Sequence, residues 1–188
     1  MNKIYSDITT IVEGLQQGKT ILYPTDTIYG IGGDATNETT VEKIFEIKNR
    51  PKSKSLIVLV SDIAMLKQYI TINNELENLI SSFDVPTTVI YSNPKNIAHN
   101  AINADQTIAI RIPKHEFCHA LISAFGKPII STSANISGEK NPSTFNKINA
   151  EIKEKVDIII NEKFDTSTYK QASKLIKINP DFSIEYLR

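Results

Sequence analysis

Four cations crowd one short segment of the chain. Lys48, Arg50, Lys52 and Lys54 lie within the segment IKNRPKSKS, residues 47–55. An arginine fork can grip phosphate oxygens in bidentate fashion, and a lysine supplies a mobile point charge. One interpretation of the segment is therefore a phosphate-binding site. The alternative is a solvated turn between a helix and a strand, which suits Lys52 in particular.

The helix predicted before this bend separates Lys48 from the other three cations. Lys48 follows Val41 and Ile44 at the spacing of one helix face, so it continues an apolar stripe. A lysine at such a position must either reach past the end of the helix or point into a polar cavity. Lys48 is therefore expected to have a different environment from Arg50 and Lys54.

A polar loop, STSANISG at residues 131–138, follows the apolar run PII. In open α/β sheets, ligands bind near the carboxyl ends of strands, where Ser133 and Asn135 could bond phosphate or ribose without adding charge. A cluster of helix caps and turns is the alternative, because serine and asparagine are favoured there as well. The stretch 23–34 has glycines that allow close backbone approach, but it lacks the spacing of a phosphate-binding loop.

The segment HEFCH, residues 115–119, formally matches the zinc motif H-E-x-x-H. On a helix, His115 and His119 would share a face, and Glu116 could act as a base on metal-bound water. No histidine follows as a third ligand, however, and the helix begins just after Pro113, so that His115 falls in its first turn. The apolar stripe of the segment explains it as a packing helix. We therefore predict no zinc and no other bound metal.

Length and charge limit the class of protein. The 188 residues predict one domain, 1–188, and the 21 basic and 21 acidic residues balance, which argues against a generally basic nucleic-acid binder. The single cysteine cannot form an internal disulfide, as suits a reducing compartment. No signal-peptide pattern and no apolar run long enough to cross a bilayer occurs, so we expect a cytoplasmic protein without a membrane partner.

Apolar runs alternate with helical patterns, which predicts an α/β fold. We expect about seven strands in one sheet, with helices packed on it, and the short connections between some strands require a mixed sheet. The apolar runs fall at residues 20–24, 56–60, 87–91, 107–112, 128–132, 156–160, 173–178 and 183–187. Helices are predicted at 8–18, 40–49, 62–70, 74–82 and 114–125, with Thr39 and Glu42 as a capping box and residues 27–35 as a glycine-rich loop.

Four stretches occur in the order and approximate spacing of a known family: YPTDTIYGIGGDA, KIFEIKNRPKSKSLIVLV, TIAIRIP and GKPIISTSANISG. In these stretches the sequence resembles the YrdC-type L-threonylcarbamoyladenylate synthase family, in its short form without an extra C-terminal domain. The K-x-R pair of Lys48 and Arg50 and the S-x-N pair of Ser133 and Asn135 are both intact. The resemblance implies a twisted open α/β sheet that encloses a positively charged concave surface.

The resemblance also implies a reaction. L-Threonine, bicarbonate or CO2, and ATP would give threonylcarbamoyl-AMP and pyrophosphate, with Mg2+ accompanying ATP. A partner enzyme would then transfer the threonylcarbamoyl group to adenosine 37 of tRNA, giving the t6A modification. Whether tRNA contacts this chain directly is left open, as is the choice between bicarbonate and CO2.

Carried over by position, the resemblance assigns a role to each of twelve residues. Lys48, Arg50, Ser133 and Asn135 form the signature catalytic tetrad. The implied ATP contacts are Arg50, Lys54, Thr107, Ser133, Asn141 and Arg188. The implied threonine contacts are Thr27, Arg111, Ser131 and Ser173. Two other functions stay open: a non-catalytic RNA-binding module that uses the same basic concavity, and a carbamoyl-adenylate transferase domain that acts on another acceptor.

Overall fold

The structure is a computed structural model that describes residues 4–167, 169–179 and 183–188. Within these ranges ten strands form one sheet. They are β1 (Ile4–Tyr5), β2 (Ile21–Tyr23), β3 (Gly30–Gly32), β4 (Ile57–Leu59), β5 (Thr87–Ser92), β6 (Thr107–Arg111), β7 (Ile129–Ser133), β8 (Ile158–Ile160), β9 (Lys174–Ile178) and β10 (Ile184–Tyr186).

The sheet is open and mixed, as predicted. Its order is β1-β8-β2-β3-β7-β4-β6-β5-β9-β10. The pairs β1–β8, β2–β8, β4–β6 and β5–β9 are parallel, and the other neighbours are antiparallel. The continuity of the sheet supports a single domain over residues 1–188, which stays a prediction.

Six α-helices accompany the sheet in the described part of the chain. They are α1 (Ile8–Gln16), α2 (Glu38–Ile47), α3 (Ile63–Tyr69), α4 (Asn74–Ser81), α5 (Glu116–Phe125) and α6 (Ala150–Lys155). Single turns of 3-10 helix lie at His99–Ala101, Phe145–Lys147 and Glu162–Phe164. No helix among these described residues is both long enough and apolar enough to cross a bilayer.

The continuous apolar runs of the sequence form the inner strands. Every residue of β2 and of β8 is buried, because these strands have neighbours on both sides and are covered on both faces. Helix α1 packs against α5, and each contributes a buried apolar stripe that includes Ile11, Leu15 and Leu121. The core therefore lies between the sheet and its helices and holds the strands in fixed register.

The prediction of about seven strands was too low, and β1 and β3 account for the clearest omissions. Strand β1 has only two residues and depends on its parallel pairing with β8. Strand β3 falls in the predicted glycine-rich loop, because glycine has a low strand propensity. Here the missing side chain is required, since a Cβ at Gly32 would collide with the backbone carbonyl oxygen of Ile130 on β7.

The predicted boundaries of α2 were also wrong. Asn37, not Thr39, is the N-cap, and its side chain accepts the backbone N–H of Thr40 at 3.1 Å. The helix ends at Ile47, two residues before the predicted end, with Lys48 as its C-cap. Asn49 follows with φ of 47°, a left-handed conformation that asparagine tolerates. The bend therefore begins directly at Lys48.

Helix α5 begins after His115 rather than before it. His115 has extended backbone angles and is the N-cap, so it does not lie in the first turn as predicted. Its Nδ1 accepts the backbone N–H of Cys118 at 3.4 Å, and its Nε2 lies 3.2 Å from the hydroxyl of Thr166. Both ring nitrogens of His115 therefore have partners within the protein.

We expect Gly32→Ala to lower the free energy of unfolding by about 2–3 kcal/mol, because the added methyl group meets backbone that cannot rotate away. The ring of Tyr23 also lies within 2.8 Å of the added atom. Urea denaturation of the two proteins measures the difference.

Gly126→Ala is the matched control for Gly32→Ala. Gly126 has φ of +72° with no atom within 4 Å of an added Cβ, so only the backbone conformation opposes the methyl group. We expect a cost of about 1 kcal/mol. An equal cost at the two positions would contradict the close approach of β3 and β7.

Candidate active site

One cavity of about 470 Å³ lies on a face of the sheet and collects most of the predicted site residues. Strand register explains why they meet. Ile57 of β4 pairs with both Ser131 of β7 and Ala109 of β6, and directly paired residues point to the same face. Side chains alternate along a strand, so Arg111 shares the face of Ala109, and Ser133 shares that of Ser131. The cavity therefore spans the middle of the sheet rather than one end of its strands.

The residues predicted to contact threonine all line this cavity. They are Thr27, Arg111, Ser131 and Ser173. Thr27 lies in the connection between β2 and β3, whereas Ser173 directly precedes β9. Thr27, Arg111, Ser131 and Ser173 are each less than a tenth exposed.

Most of the residues predicted to contact ATP line the same cavity. They are Arg50, Lys54, Ser133, Asn141 and Arg188. Arg50 is half-buried, and Lys54, Asn141 and Arg188 are exposed. This side of the cavity is therefore open to solvent, in contrast to the buried side around Arg111.

Three predicted site residues do not line the cavity. Thr107 shares the face of Ala109 and Arg111, but it lies at the start of β6, where its hydroxyl bonds to Asp105 at 2.6 Å and to Asn103 at 2.9 Å. Lys48 and Asn135 contact Ser133, and they are buried outside the lining.

Lys48 is the most deeply buried cation of the bend. Its side chain is 1% exposed. Its Nζ donates to the backbone oxygens of Ser133 and Asn135, the second at 2.7 Å, and to Oδ1 of Asn135 at 3.2 Å. When it is protonated, Nζ has three N–H donors, and these three oxygens lie within hydrogen-bond distance of it. Lys48 therefore stabilises the loop after β7, and the catalytic role that the resemblance implies for it stays a prediction.

Two further contacts join the bend to the same loop. The backbone N–H of Ser137 donates to the carbonyl of Lys48 at 2.9 Å, and Nζ of Lys54 donates to the hydroxyl of Ser137 at 3.3 Å. Within the loop, the hydroxyl of Ser133 donates to Oδ1 of Asn135 at 2.5 Å. The C-terminal end of α2, the bend and residues 133–137 are therefore one connected unit.

Arg50 closes the bend from inside the cavity. Its Nη2 donates to the carbonyl of Ser55 at 2.7 Å, and its Nε lies 3.5 Å from the carbonyl of Lys54. Nη1 has no hydrogen bond to any residue that the structure describes. Partial burial lowers the pKa of Arg50, although arginine stays protonated at any pH at which the protein is folded. The guanidinium is thus held by the backbone and keeps donors for a ligand.

Arg111 has a buried partner that the sequence did not reveal. Its Nη1 forms an ion pair with Oδ1 of Asp26, and Oδ2 of Asp26 accepts the backbone N–H of Lys114 at 2.9 Å. Nη2 of Arg111 lies 3.4 Å from the hydroxyl of Thr27, and Nε has no partner in the described chain. Asp26 therefore fixes the orientation of a guanidinium that still has donor capacity.

Ser173 also depends on a residue that sequence reasoning missed. Its hydroxyl lies 2.7 Å from that of Thr88 on β5, which is fully buried. The carbonyl of Ser173 accepts Nε of Arg188 at 3.3 Å. At Thr88 the sequence gives one signal, a hydroxyl residue within an apolar strand. No local pattern identifies Asp26 as the partner of Arg111, because the two residues lie far apart in the chain.

A larger groove of about 660 Å³ lies elsewhere, against β5 and β9. Its lining is mainly apolar and includes Ile70, Leu76, Val89 and Ile178, with Lys177 as its one charged residue among those the structure describes. It contains none of the predicted site residues. The smaller cavity, which has several cations and hydroxyls converging on it, is therefore the candidate active site.

The sheet and the cavity define an α/β protein with a site suited to anions, and comparison with known proteins agrees. A threonylcarbamoyl-AMP synthase of Vibrio vulnificus (strain YJ016) is 29% identical over 159 residues, which are 82% of this chain and 86% of that protein. A threonylcarbamoyl-AMP synthase of Escherichia coli O1:K1 is 31% identical over 155 residues, covering 80% of this chain and 82% of that protein.

A solved structure of Sua5 from P. abyssi, complexed with L-threonine, superposes with a TM-score of 0.83 at 27% identity. It covers 96% of this chain, whereas this chain spans about half, 53%, of the Sua5 chain. The family model Sua5_yciO_yrdC, described as "Telomere recombination", matches residues 13–188. The chain therefore belongs to the Sua5/YciO/YrdC family.

Lys48→Met should lower the free energy of unfolding by about 2–3 kcal/mol at pH 7, because it removes all three hydrogen bonds of Nζ and leaves the backbone oxygen of Asn135 without its donor. Burial, with a smaller contribution from Arg50, lowers the pKa of Lys48 from 10.5 to about 7 in the folded protein. Between about pH 7 and pH 10.5, Lys48 is neutral in the folded protein and protonated in the unfolded chain. Unfolding therefore takes up a proton, and the wild type gains stability as the pH rises. The stability difference between wild type and variant is therefore expected to grow from pH 7 to pH 10.

Chemical denaturation of both proteins across this pH range measures the effect. Lys52→Met is the control, because Lys52 is exposed and pairs only with Glu42 at the surface; its cost should stay below about 0.5 kcal/mol at every pH. If the cost of Lys48→Met stays constant or falls as the pH rises, the oxygens around Nζ stabilise the charged form of Lys48 more than burial destabilises it.

Proposed function

We propose that this protein is a threonylcarbamoyl-AMP synthase, which converts L-threonine, bicarbonate or CO2, and ATP into threonylcarbamoyl-AMP and pyrophosphate. The observation that carries the proposal is the charge of the cavity. Among the described residues that line it, four are basic and none is acidic: Arg50, Lys54, Arg111 and Arg188. Such a cavity suits a reaction in which anions must meet.

The chemistry requires fixed cations more than a strong base. The neutral amine of threonine adds to the carbon of CO2 and loses one N–H proton to solvent, which gives a carbamate, and a carbamate oxygen attacks the α-phosphorus of ATP. The bond from that phosphorus to the bridging oxygen breaks, and pyrophosphate leaves with the electron pair. Both reactants and both products are anions, so cations held in place stabilise the charge that develops on the leaving group.

The two sides of the cavity suit the two substrates. Arg50 and Lys54 lie on the open side, where they can offset the charge of a triphosphate. Arg111 lies on the buried side and can hold the carboxylate of threonine by charge-assisted hydrogen bonds. Asn141 and Arg188 are assigned to ATP, and Ser131 and Ser173 to threonine. Lys48 and Asn135 are assigned to the catalytic tetrad through Ser133, which they contact and which lines the cavity.

Ser133 is assigned to the ribose rather than to a phosphate. Its proton is donated to Asn135 at 2.5 Å, so its oxygen can only accept from a ligand. A ribose hydroxyl can donate to it, whereas a phosphate oxygen cannot. Mg2+ is expected to enter with ATP, and the cavity would offer it hydroxyl, amide and backbone oxygens in addition to the phosphates.

The place in the cell and the partners are also part of the proposal. The product is expected to pass to an enzyme that transfers the threonylcarbamoyl group to adenosine 37 of tRNA, in the cytoplasm. The names of the relatives favour this enzyme over the RNA-binding alternative, in which the cavity would bind RNA without turnover. RNA binding would also show a steep dependence on salt concentration and none on threonine.

The direct test is an assay of pyrophosphate release with labelled L-threonine, bicarbonate, ATP and Mg2+. We expect release only when threonine is present, together with a labelled adenylate. Release that does not need threonine, or no release at all, would contradict the proposed function. Tight RNA binding in place of turnover would favour the alternative.

Arg50→Ala should lower kcat/KM by at least about a hundredfold, because it removes a charge aimed at the triphosphate. Arg50 lies in a bend outside the core, so the variant should unfold at nearly the same temperature as the wild type. The same pyrophosphate assay measures the effect.

Lys52→Ala removes a cation from the same bend and serves as the control. Its ammonium bonds Glu42 at 2.7 Å, and it does not line the cavity. Activity within about twofold of the wild type is expected, as for an exposed surface pair. If Arg50→Ala and Lys52→Ala lost equal activity, the bend would act only through its total charge and not through the position of Arg50.

A further inference from the structure

We propose that Thr25 is a positioning residue that fixes Thr27 as a hydrogen-bond acceptor for the side-chain hydroxyl of the amino-acid substrate. The inference rests on the function proposed above, because it assumes that an amino acid occupies this side of the cavity. Both threonines lie in the connection between β2 and β3, and both are buried. Thr27 lines the cavity and Thr25 does not.

The hydroxyl proton of Thr25 is donated within the protein. A threonine hydroxyl has one proton to donate and two lone pairs that accept. Oγ1 of Thr25 lies 2.8 Å from the carbonyl oxygen of Ile28, which can only accept, so the proton of Thr25 is donated there. The same oxygen accepts the backbone N–H of Thr27 at 3.1 Å. Thr25 therefore has no proton left for a further bond.

The hydroxyl proton of Thr27 is also donated within the protein. The two hydroxyl oxygens lie 2.9 Å apart, and because Thr25 cannot donate, Thr27 must be the donor in this contact. Nη2 of Arg111, which can only donate, approaches Oγ1 of Thr27 at 3.4 Å. The hydroxyl of Thr27 is thus left with one lone pair and no proton for a ligand.

This polarity restricts what can bind next to Thr27. Carboxylate and phosphate oxygens only accept hydrogen bonds, so neither can bond this hydroxyl. A ligand hydroxyl or N–H can donate to it, and the hydroxyl is the group available because the amine of the substrate must stay free to take up CO2. The geometry therefore orients L-threonine with its carboxylate toward Arg111 and its hydroxyl proton toward Thr27. An amino acid of similar shape without that proton leaves a buried lone pair unpaired, which lowers affinity.

The first arm of the test uses the wild-type protein and direct binding by calorimetry. The ligands are L-threonine, L-2-aminobutyrate and the 3-fluoro analogue of threonine. L-2-Aminobutyrate lacks the hydroxyl, and the fluoro analogue has in its place a fluorine atom, which has no proton to donate. We expect threonine to bind at least about tenfold more tightly than either analogue. A fluoro analogue that binds as tightly as threonine would overturn the proposal, because Thr27 would then not require a donor.

The second arm compares Thr25→Val with Thr25→Ser. Valine keeps the shape of the side chain but removes its oxygen, which frees the hydroxyl of Thr27 to rotate and donate. We expect the affinity ratio of threonine to 2-aminobutyrate to fall to about twofold in this variant, because a reoriented hydroxyl no longer selects for a donor. Serine keeps the hydroxyl and should retain the wild-type ratio.

The affinity ratio of threonine to 2-aminobutyrate distinguishes a positioning role of Thr25 from a merely structural role. A structural role would weaken both amino acids equally in Thr25→Val, and that outcome overturns the proposal, as does an unchanged ratio. Loss of the ratio in Thr25→Ser overturns it as well. If the valine variant does not fold, the serine variant and the fluoro analogue decide the question.

Binding requires no turnover, so this test is separable from the test of the proposed function. A wild-type protein that binds threonine with the expected preferences but releases no pyrophosphate overturns the proposed function and supports the role of Thr25. Threonine-dependent pyrophosphate release with a wild-type affinity ratio in Thr25→Val overturns the role of Thr25 alone. A wild type that does not bind threonine overturns both.

Discussion

The candidate site depends on the hydrogen bonds of the buried side-chain nitrogen of Lys48. Lys48 lies at the end of α2, 1% exposed, and donates to the oxygens of Ser133 and Asn135. A buried cation is costly unless its donors are satisfied, so the loop after β7 must adopt the conformation that presents its oxygens to Nζ. The end of one helix, a cationic bend and a polar loop from a strand far along the chain are thereby held in one arrangement.

That arrangement gives the cavity two unlike sides. The open side is built from the bend, where Arg50 is braced by the carbonyls of Lys54 and Ser55. The buried side is built around Arg111, whose charge is partly offset by Asp26 in a low-dielectric setting. An exposed triphosphate and a small zwitterionic amino acid need these two environments, since the first is a large polyanion and the second must be recognised atom by atom.

Much of the sheet was predictable because its inner strands are continuous apolar runs. Strand β3 was not, because Gly32 is required by the close approach of the carbonyl oxygen of Ile130 and not by strand propensity. The cavity residues were predicted from a resemblance in motifs and not from charge alone. The partners that fix them, Asp26 and Thr88, could not be predicted, because each bond joins residues 85 positions apart and becomes visible only once the strands are in register.

Charge alone does not assign a role to a residue, as the four cations of the bend demonstrate. Lys48 is buried and holds a loop, Arg50 is half-buried beside the cavity, Lys54 is exposed at its edge, and Lys52 pairs with Glu42 at the surface. Helical phase separates Lys48 from the rest, because it continues the buried stripe of α2. Backbone carbonyls of the bend orient Arg50, whereas the side chains of Glu42 and Ser137 bind Lys52 and Lys54, and these partners are a property of the fold. The same reasoning applies to the hydroxyls of the cavity, where the partner that takes each proton decides what the oxygen can bind.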